Sequence, residues 1–418
     1  MFKELFYILS LFLLGVIILI FRSRSCMYVF KNRSRIVVTC SKAVSGILAA
    51  ELRELGYSVA RELPAAVETE GSMKDAMRMN LMLRTGNRVL FLLKGFRAKG
   101  PDELYRAVKS LPWEDIIDKD GYFSVTSSVL NDNIRDTRFA NLRCKDAVVD
   151  RMTAKFGKRP DSGPELNKTV LFIHWRGDDC ALYIDTSGES LSKRGYRYNP
   201  MMAPMVETLA AAVVGKTGWN GTGNFINPMC GSGTLAIEAL MKALNMAGGI
   251  IRRNFCFMHL AGFNAKEWSD MRSDALRVVR KDIKGRVIVS DRDERAVKAA
   301  EENAAMAGVE RYLEYEKCDF RDCTVPEGGG VVLLNPEYGK RLGDENLLEP
   351  VYAGIGDFFK NRCQGCKGYI FTGNMNLAKC VGLKTASKTV FFNSKIECRL
   401  LEYELYSGSK KVKTDEEA

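Results

Sequence analysis

NFINPMCGSGTLAIEALMKAL, residues 224–244, decides the fold of this chain. A short apolar run, NFIN, reads as a strand. It breaks into the turn Cys230-Gly231-Ser232-Gly233-Thr234, and LAIEALMKAL then has the apolar spacing of a helix. Glycines let a backbone come close to a ligand, and a helix start offers amide donors with no partner of their own. The same pattern also serves as a plain strand–helix turn, so its neighbours must decide. Downstream, RVIVS is a strand ending at Asp291, followed by the helix ERAVKAAEENAAMAG. YLEYEKC is a third strand, running to Asp319, and GVVLLN is a fourth. GYIFTG follows, and TVFFNS and RLLEYELYS can pair as a terminal hairpin. Strands alternating with helices imply an α/β, doubly wound, Rossmann-like sheet.

In such a sheet ligands sit at the C-terminal ends of the strands, near the reversal of strand order. Asp291 is placed to accept both hydroxyls of a ribose, and Asp319 to accept from an adenine amino group. Asp293 is the helix-capping alternative. In dinucleotide folds the acidic residue lies about 20 residues past the glycines. Here an insertion centred on Arg252–Trp268 separates them, which disfavours a nicotinamide nucleotide. An adenosine carrying an amino acid, S-adenosylmethionine, fits better.

The fourth strand ends in VVLLNPEYGKRLG, residues 331–343. Asn335-Pro336-Glu337-Tyr338 places an amide and an aromatic ring at the mouth of a buried strand. That pair suits a flat ligand with a hydrogen-bonding edge.

Upstream, IVVTC, RVLFLLKGF and YFSVTSS read as strands. AVSGILAAELRELGY, PDELYRAVKSL and KDAVVDRMTAKFG read as helices, and a further helix, APMVETLAAAVVGKTGW, carries Pro204 in its first turn. The upstream region is α+β and has no phosphate loop. The formal net charge is +11, and residues 1–200 hold 32 Lys and Arg against 23 Asp and Glu. The positive excess therefore lies upstream and suits either a polyanion partner, nucleic acid above all, or a charge that serves solubility alone. Arg84, Arg88, Lys94, Arg97, Lys99, Arg143, Lys145, Arg151, Lys155, Lys158 and Arg159 read as the docking surface.

Twelve scattered cysteines without a disulfide-like framework fit reduced thiols in a cytoplasmic protein. Cys363 and Cys366 form a lone CxxC, and His174 and His259 are the only histidines, so no metal is expected. Leu5–Phe21 is uncharged and apolar for 17 residues, with Arg22 and Arg24 following. It reads as a membrane anchor that keeps the next domain in the cytoplasm, or as an extension ahead of a start at Met27.

PMCGSGTLAIEA, SDRDERAVKAAEENAAMAGV and LLNPEYGKRLG, with SLSKRGYR, KDAVVDR, the Leu81–Arg88 run and ECRLLEYEL, resemble the THUMP-domain RNA guanine-N(2) methyltransferases. That family includes the bacterial large-subunit rRNA enzyme and an archaeal tRNA enzyme. The resemblance covers residues 30–407. It implies a ferredoxin-like piece with a THUMP RNA-binding domain at 27–195 and a class I S-adenosylmethionine-dependent methyltransferase at 196–408; the hydrophobic segment at 1–26 and a charged tail at 409–418, read from the residues themselves, flank them. Cys230, Gly231, Ser232, Gly233, Thr234, Asp291 and Asp319 would bind the cofactor. Asn335 and Pro336 would accept from the target amino group, and Tyr338 would stack on the base. Two positions depart from the family: Asn227 replaces Asp, and Glu337 replaces the second Pro of Asn-Pro-Pro-Tyr. Two alternatives stay open, an adenine amino-methyltransferase acting on DNA and an RNA-binding protein with impaired catalysis.

Overall fold

A computed structural model describes residues 28–131, 136–199, 201, 205–338 and 345–406. The chain divides into two compact units. One holds Leu48–Leu191 with Arg252–Asp274 and the strand preceding Cys40; the other holds Ser192–Ile251 and the chain from Ala275 onward, with Ser41–Ile47. Residues 5–21 lie outside the described residues, as does the charged tail. Among the described residues no helix is long and apolar enough to cross a membrane.

The first unit is a sheet of eight strands: β1 (Arg33–Thr39), β2 (Arg61–Leu63), β3 (Ala66–Ser72), β4 (Arg88–Arg97), β5 (Tyr122–Leu130), β6 (Asp161–Ser162), β7 (Thr169–Arg176) and β8 (Asp179–Asp185). Their order is β2-β3-β1-β4-β8-β7-β5-β6. Helices α1 (Ser45–Glu54), α2 (Met73–Met82), α3 (Pro101–Lys109) and α4 (Thr137–Phe156) connect them. Local chemistry sets the helix ends. Ser72 and Asp75 cap α2 reciprocally, with the Asp75 carboxylate accepting from the Ser72 amide at 2.8 Å. Pro101 opens α3, and Gly157 closes α4 in the left-handed region.

Several upstream cations expected to dock RNA are already paired. Arg88 donates to the buried Asp185 carboxylate and to the Gly188 carbonyl, so it holds β4 to the end of β8. Arg151 forks onto Glu114 at 2.7 and 3.0 Å. Arg143 and Arg97 meet Asp102 and Asp178.

The insertion at 252–274 groups with this unit and not with the residues on either side of it. The Val170 amide donates to Cys256 Sγ at 2.9 Å, and the Ala261 amide to the Ile116 carbonyl at 3.0 Å. Arg252 donates to the carbonyls of Ser187, Glu189 and Ser190. Phe255 and Phe257 stack at 5.2 Å, with Trp268 edge-on to both, and all three are buried. An aromatic cluster of this size is a core in its own right.

The second unit is a seven-stranded sheet of β9 (Asn224–Pro228), β10 (Val287–Asp291), β11 (Leu313–Lys317), β12 (Gly330–Leu334), β13 (Cys366–Thr372), β14 (Ser387–Asn393) and β15 (Ile396–Glu404). The order is β11-β10-β9-β12-β13-β15-β14; the first five run parallel, and β15 is antiparallel to both neighbours. Helices α5 (Glu207–Thr217), α6 (Thr234–Ala243), α7 (Ala265–Arg277, starting in the insertion), α8 (Glu294–Ala307), α9 (Glu345–Arg362) and α10 (Met375–Cys380) complete the chain. Helix α5 starts at Glu207 with Val206 as its N-cap; Pro204 lies outside the described residues. The strand order reverses at β9 and β12, which pair directly. That reversal puts a crevice at the C-terminal ends of both strands.

Candidate active site

Strand β9 is buried along its whole length, and the chain leaves it through Met229, a non-glycine residue at φ 56°. The Cys230 amide donates to the Ser290 carbonyl at 2.9 Å, and the Gly231 amide to Asp291 Oδ2 at 3.0 Å. Asp291 Oδ1 accepts from the Asp293 amide at 3.0 Å. One carboxylate thus fixes the glycine turn and the start of α8 together, with lone pairs left over for a ligand. The two glycines do different work. Gly233, at φ 78°, caps α6, and a Cβ there would stand 2.9 Å from Ala300 on α8. Gly231, at φ 53°, faces open space, since a Cβ there would meet nothing within 4 Å. Ser232 and Thr234 are buried, their hydroxyls 3.4 Å apart. Burial pushes the Cys230 thiol up, so it stays protonated.

Asp319 is the sequence candidate whose carboxylate is most occupied. It caps the short turn Phe320–Asp322 through the Arg321 amide and accepts from the Arg321 guanidinium at 2.7 and 3.1 Å. That guanidinium holds the Asp319 carboxyl below its usual range. Asp293 likewise caps α8 and pairs with Arg295.

The motif after β12 leaves the sheet at the same edge. Asn227 is fully buried, and its Nδ2 donates across to the Leu333 carbonyl at 2.7 Å. An ionised Asp could not make that bond, so the amide replacing the family's acid ties β9 to β12. Two residues on, Asn335 Oδ1 is buried and has no hydrogen-bond partner among the described residues. A buried acceptor without a donor costs about 1–3 kcal/mol and calls for an explanation. Tyr338 lies edge-on to Phe371 with centroids 6.2 Å apart, and its hydroxyl accepts from Asn393 Nδ2 at 2.9 Å. Burial raises its phenol pKa, so the ring is neutral at ordinary pH. The Glu337 side chain is exposed. Its carbonyl accepts from the Tyr352 hydroxyl at 3.2 Å, which also meets Thr372 Oγ1 at 2.8 Å.

Two constellations here are not evident from motif reading. Asn303, buried on α8, uses its whole amide. Oδ1 accepts from the Tyr198 and Asn199 amides at 2.9 and 3.1 Å, and Nδ2 donates to the Ser232 and Asn199 carbonyls at 3.0 and 3.2 Å. It fastens the glycine turn to the strap before α5. The signal was an Asn within the alanine stripe Ala296, Ala299, Ala300, Ala304 and Ala307. The second is Glu238, fully buried on α6, which receives the Tyr196 hydroxyl at 3.1 Å and the Arg194 guanidinium at 3.4 and 3.5 Å. The motif KRGYR thus acts as an anchor behind the glycine turn.

Comparison with known proteins matches residues 194–402 to the RMKL-like methyltransferase domain, 35–90 to the RlmL ferredoxin-like domain and 98–185 to the THUMP domain. The chain is 37% identical over 377 residues to a ribosomal RNA large subunit methyltransferase K/L of Syntrophotalea carbinolica; the match covers 88% of this chain and 53% of the relative. The chain therefore spans about half the length of that relative. It is 32% identical to a Synechocystis protein named "Putative RNA methyltransferase", covering 88% of this chain and 96% of that one. Among solved structures, SMU.472, described as "a putative methyltransferase complexed with SAH", is 27% identical with a TM-score of 0.81, over 91% of this chain and 99% of its own. A Listeria monocytogenes protein described as "a predicted N6-adenine-specific DNA methylase" is 29% identical with a TM-score of 0.80, over 90% of this chain and 97% of its own.

Proposed function

The chain belongs to the RMKL-like methyltransferases that carry THUMP and RlmL ferredoxin-like domains, and from that premise we propose that it methylates the exocyclic amine of a guanosine in RNA, large-subunit rRNA first and tRNA second. The donor is S-adenosylmethionine, which supplies a methyl group on a sulfonium. The open face at Gly231 and the carboxylate of Asp291 fit such a group, the first by leaving room for it and the second by accepting from a ribose. Cys230, Ser232, Gly233 and Thr234 shape the turn around it, and Asp319 borders the adenine.

The observation that carries the reading is the orphaned Asn335 Oδ1. A guanine amine is delocalised into its ring and is a poor nucleophile. Oδ1 and the Pro336 carbonyl would each accept one of its N–H bonds, orient its lone pair and hold the positive charge that develops. Tyr338 would stack on the extracted base, which returns about 1–3 kcal/mol against an extraction cost of a few kcal/mol. The test is methyl transfer from labelled cofactor to unmodified bulk RNA, followed by nucleoside analysis. N2-methylguanosine supports the reading. Methyladenosine in DNA, as the Listeria protein's description would have it, replaces the substrate, and no transfer to any nucleic acid favours an impaired binder.

Asp291→Ala should weaken S-adenosylmethionine binding by about 1.5–3 kcal/mol, the range for hydrogen bonds to a charged group. Calorimetry checks it, and an unchanged affinity removes Asp291 from the site. Glu337→Pro should leave turnover within a few-fold of wild type, because the carboxylate points to solvent and Pro stiffens the loop. An inactive Glu337→Pro enzyme would give that carboxylate a role of its own.

A further inference from the structure

Tyr338 is cradled by the end of β13 and the terminal hairpin. A Cβ on Gly373, the residue after β13, would stand 2.7 and 2.8 Å from Tyr338 Cδ2 and Cε2, and 3.0 Å from Ile396 Cγ2. Real carbon atoms do not approach so closely, so the ring occupies the space a side chain would need. Gly373 is not in the left-handed region, and the backbone there does not demand glycine. The glycine is required by the ring. Phe371, two residues earlier on β13, meets the ring edge-on. Asn393, last residue of β14, donates to the phenol oxygen at 2.9 Å, just before the hairpin turns through Ser394 at φ 59°. Asn393 and Gly373 lie more than 30 residues beyond the motif they support.

We propose that Asn393 and Gly373 are positioning residues for Tyr338, and that the hairpin β14–β15 sets the plane in which the target base is received. The inference rests on the stacking role given to Tyr338 above. A ring anchored at its hydroxyl, edge and flank presents one fixed surface, so a base stacked on it is oriented as well as bound. Orientation governs how the amine meets Asn335 Oδ1, and misplacement by about 1 Å is costly in rate.

The test is a double-mutant cycle read on RNA kinetics, with cofactor affinity and thermal melting as controls of fold. Tyr338→Phe keeps the ring and removes the anchor; Asn393→Ala removes the other partner. Each should lower kcat/KM on RNA about fivefold, the worth of one hydrogen bond, and the double variant should be no worse than either alone. Asn393→Asp should restore most of the loss, since a phenol can donate as well as accept. Gly373→Ala should lower kcat/KM by displacing the ring while leaving cofactor affinity within about twofold. Additive losses in the cycle, or wild-type kinetics for both Asn393→Ala and Gly373→Ala, overturn the cradle. Tyr338→Ala separates this failure from failure of the stacking role. If Tyr338→Ala is crippled while the cradle variants are not, only the cradle falls. If Tyr338→Ala uses RNA normally, the stacking role falls with it.

Discussion

Asn335→Ala should cut methyl transfer by about 10²-fold or more while cofactor affinity hardly changes. The expected size follows from losing one well-placed partner to charge that develops in the transition state. The buried Oδ1 bears on the sign as well as the size. Among the described residues this oxygen has no donor, so removing it breaks no hydrogen bond seen there. Truncation to Ala should therefore leave melting unchanged or slightly raise it, because an unpaired buried acceptor disappears. Most loss-of-function substitutions in a buried strand end destabilise, so activity and stability should part company here. Single-turnover methylation of RNA and a thermal melt on the same preparation check both halves. A variant that keeps within threefold of wild-type turnover would remove Asn335 from the reaction. One that loses activity and melting temperature together would make it a structural residue.

The part of this site legible in the sequence is the part that local pattern controls. β9, β10 and β12 are short apolar runs that end in a turn residue of distinct chemistry, so Asp291, Asn335 and the glycines could be placed at strand ends from the sequence. The hairpin β14–β15 was legible for the same reason. Contacts that span the chain were not. Asn227 looks like a lost charge until the Leu333 carbonyl is seen 2.7 Å away. The segment 252–274 interrupts the catalytic unit in sequence, yet its hydrogen bonds run to Ile116, Asn167, Val170 and Thr186. No periodicity within the segment could disclose partners more than 60 residues upstream. Strands β7 and β8 had a local signal, since LFIHW and ALYI flank a turn at Gly177, but motif reading passes over them because no ligand group lies at their ends. Arg88 shows the opposite error. Counted as surface charge, it is instead committed to the buried Asp185, so charge counting overstates the cations left for RNA.

The largest loss of stability should come from Arg194→Ala. Arg194 is 1% exposed and Glu238 is 0% exposed, and they meet directly behind the glycine turn, with the Tyr196 hydroxyl on the same carboxylate. Removing one member of a buried pair leaves the other uncompensated, at a cost of about 3–5 kcal/mol. Glu238→Gln keeps an oxygen that can accept from Arg194 and Tyr196 but removes the counter-charge of the buried guanidinium, so it too should destabilise, by less than Arg194→Ala. The pH dependence identifies the cause. Burial already raises the Glu238 carboxyl pKa above its usual range, against the pull of Arg194. Without Arg194 it rises further. An acid whose folded pKa lies above its unfolded one favours folding below the unfolded value, and it loses that contribution as pH climbs through the folded value. The gap in melting temperature between wild type and Arg194→Ala should thus be narrower at pH 5 than at pH 8, where the stranded carboxyl must either ionise or hold its proton at a cost. A gap that is the same at both would mean that the loss is one of packing, and that the charge on Glu238 plays no part in it. Since α6 carries both Glu238 and the helix start behind Gly233, cofactor affinity of the variant should fall at pH 8 and recover towards pH 5 along with the fold.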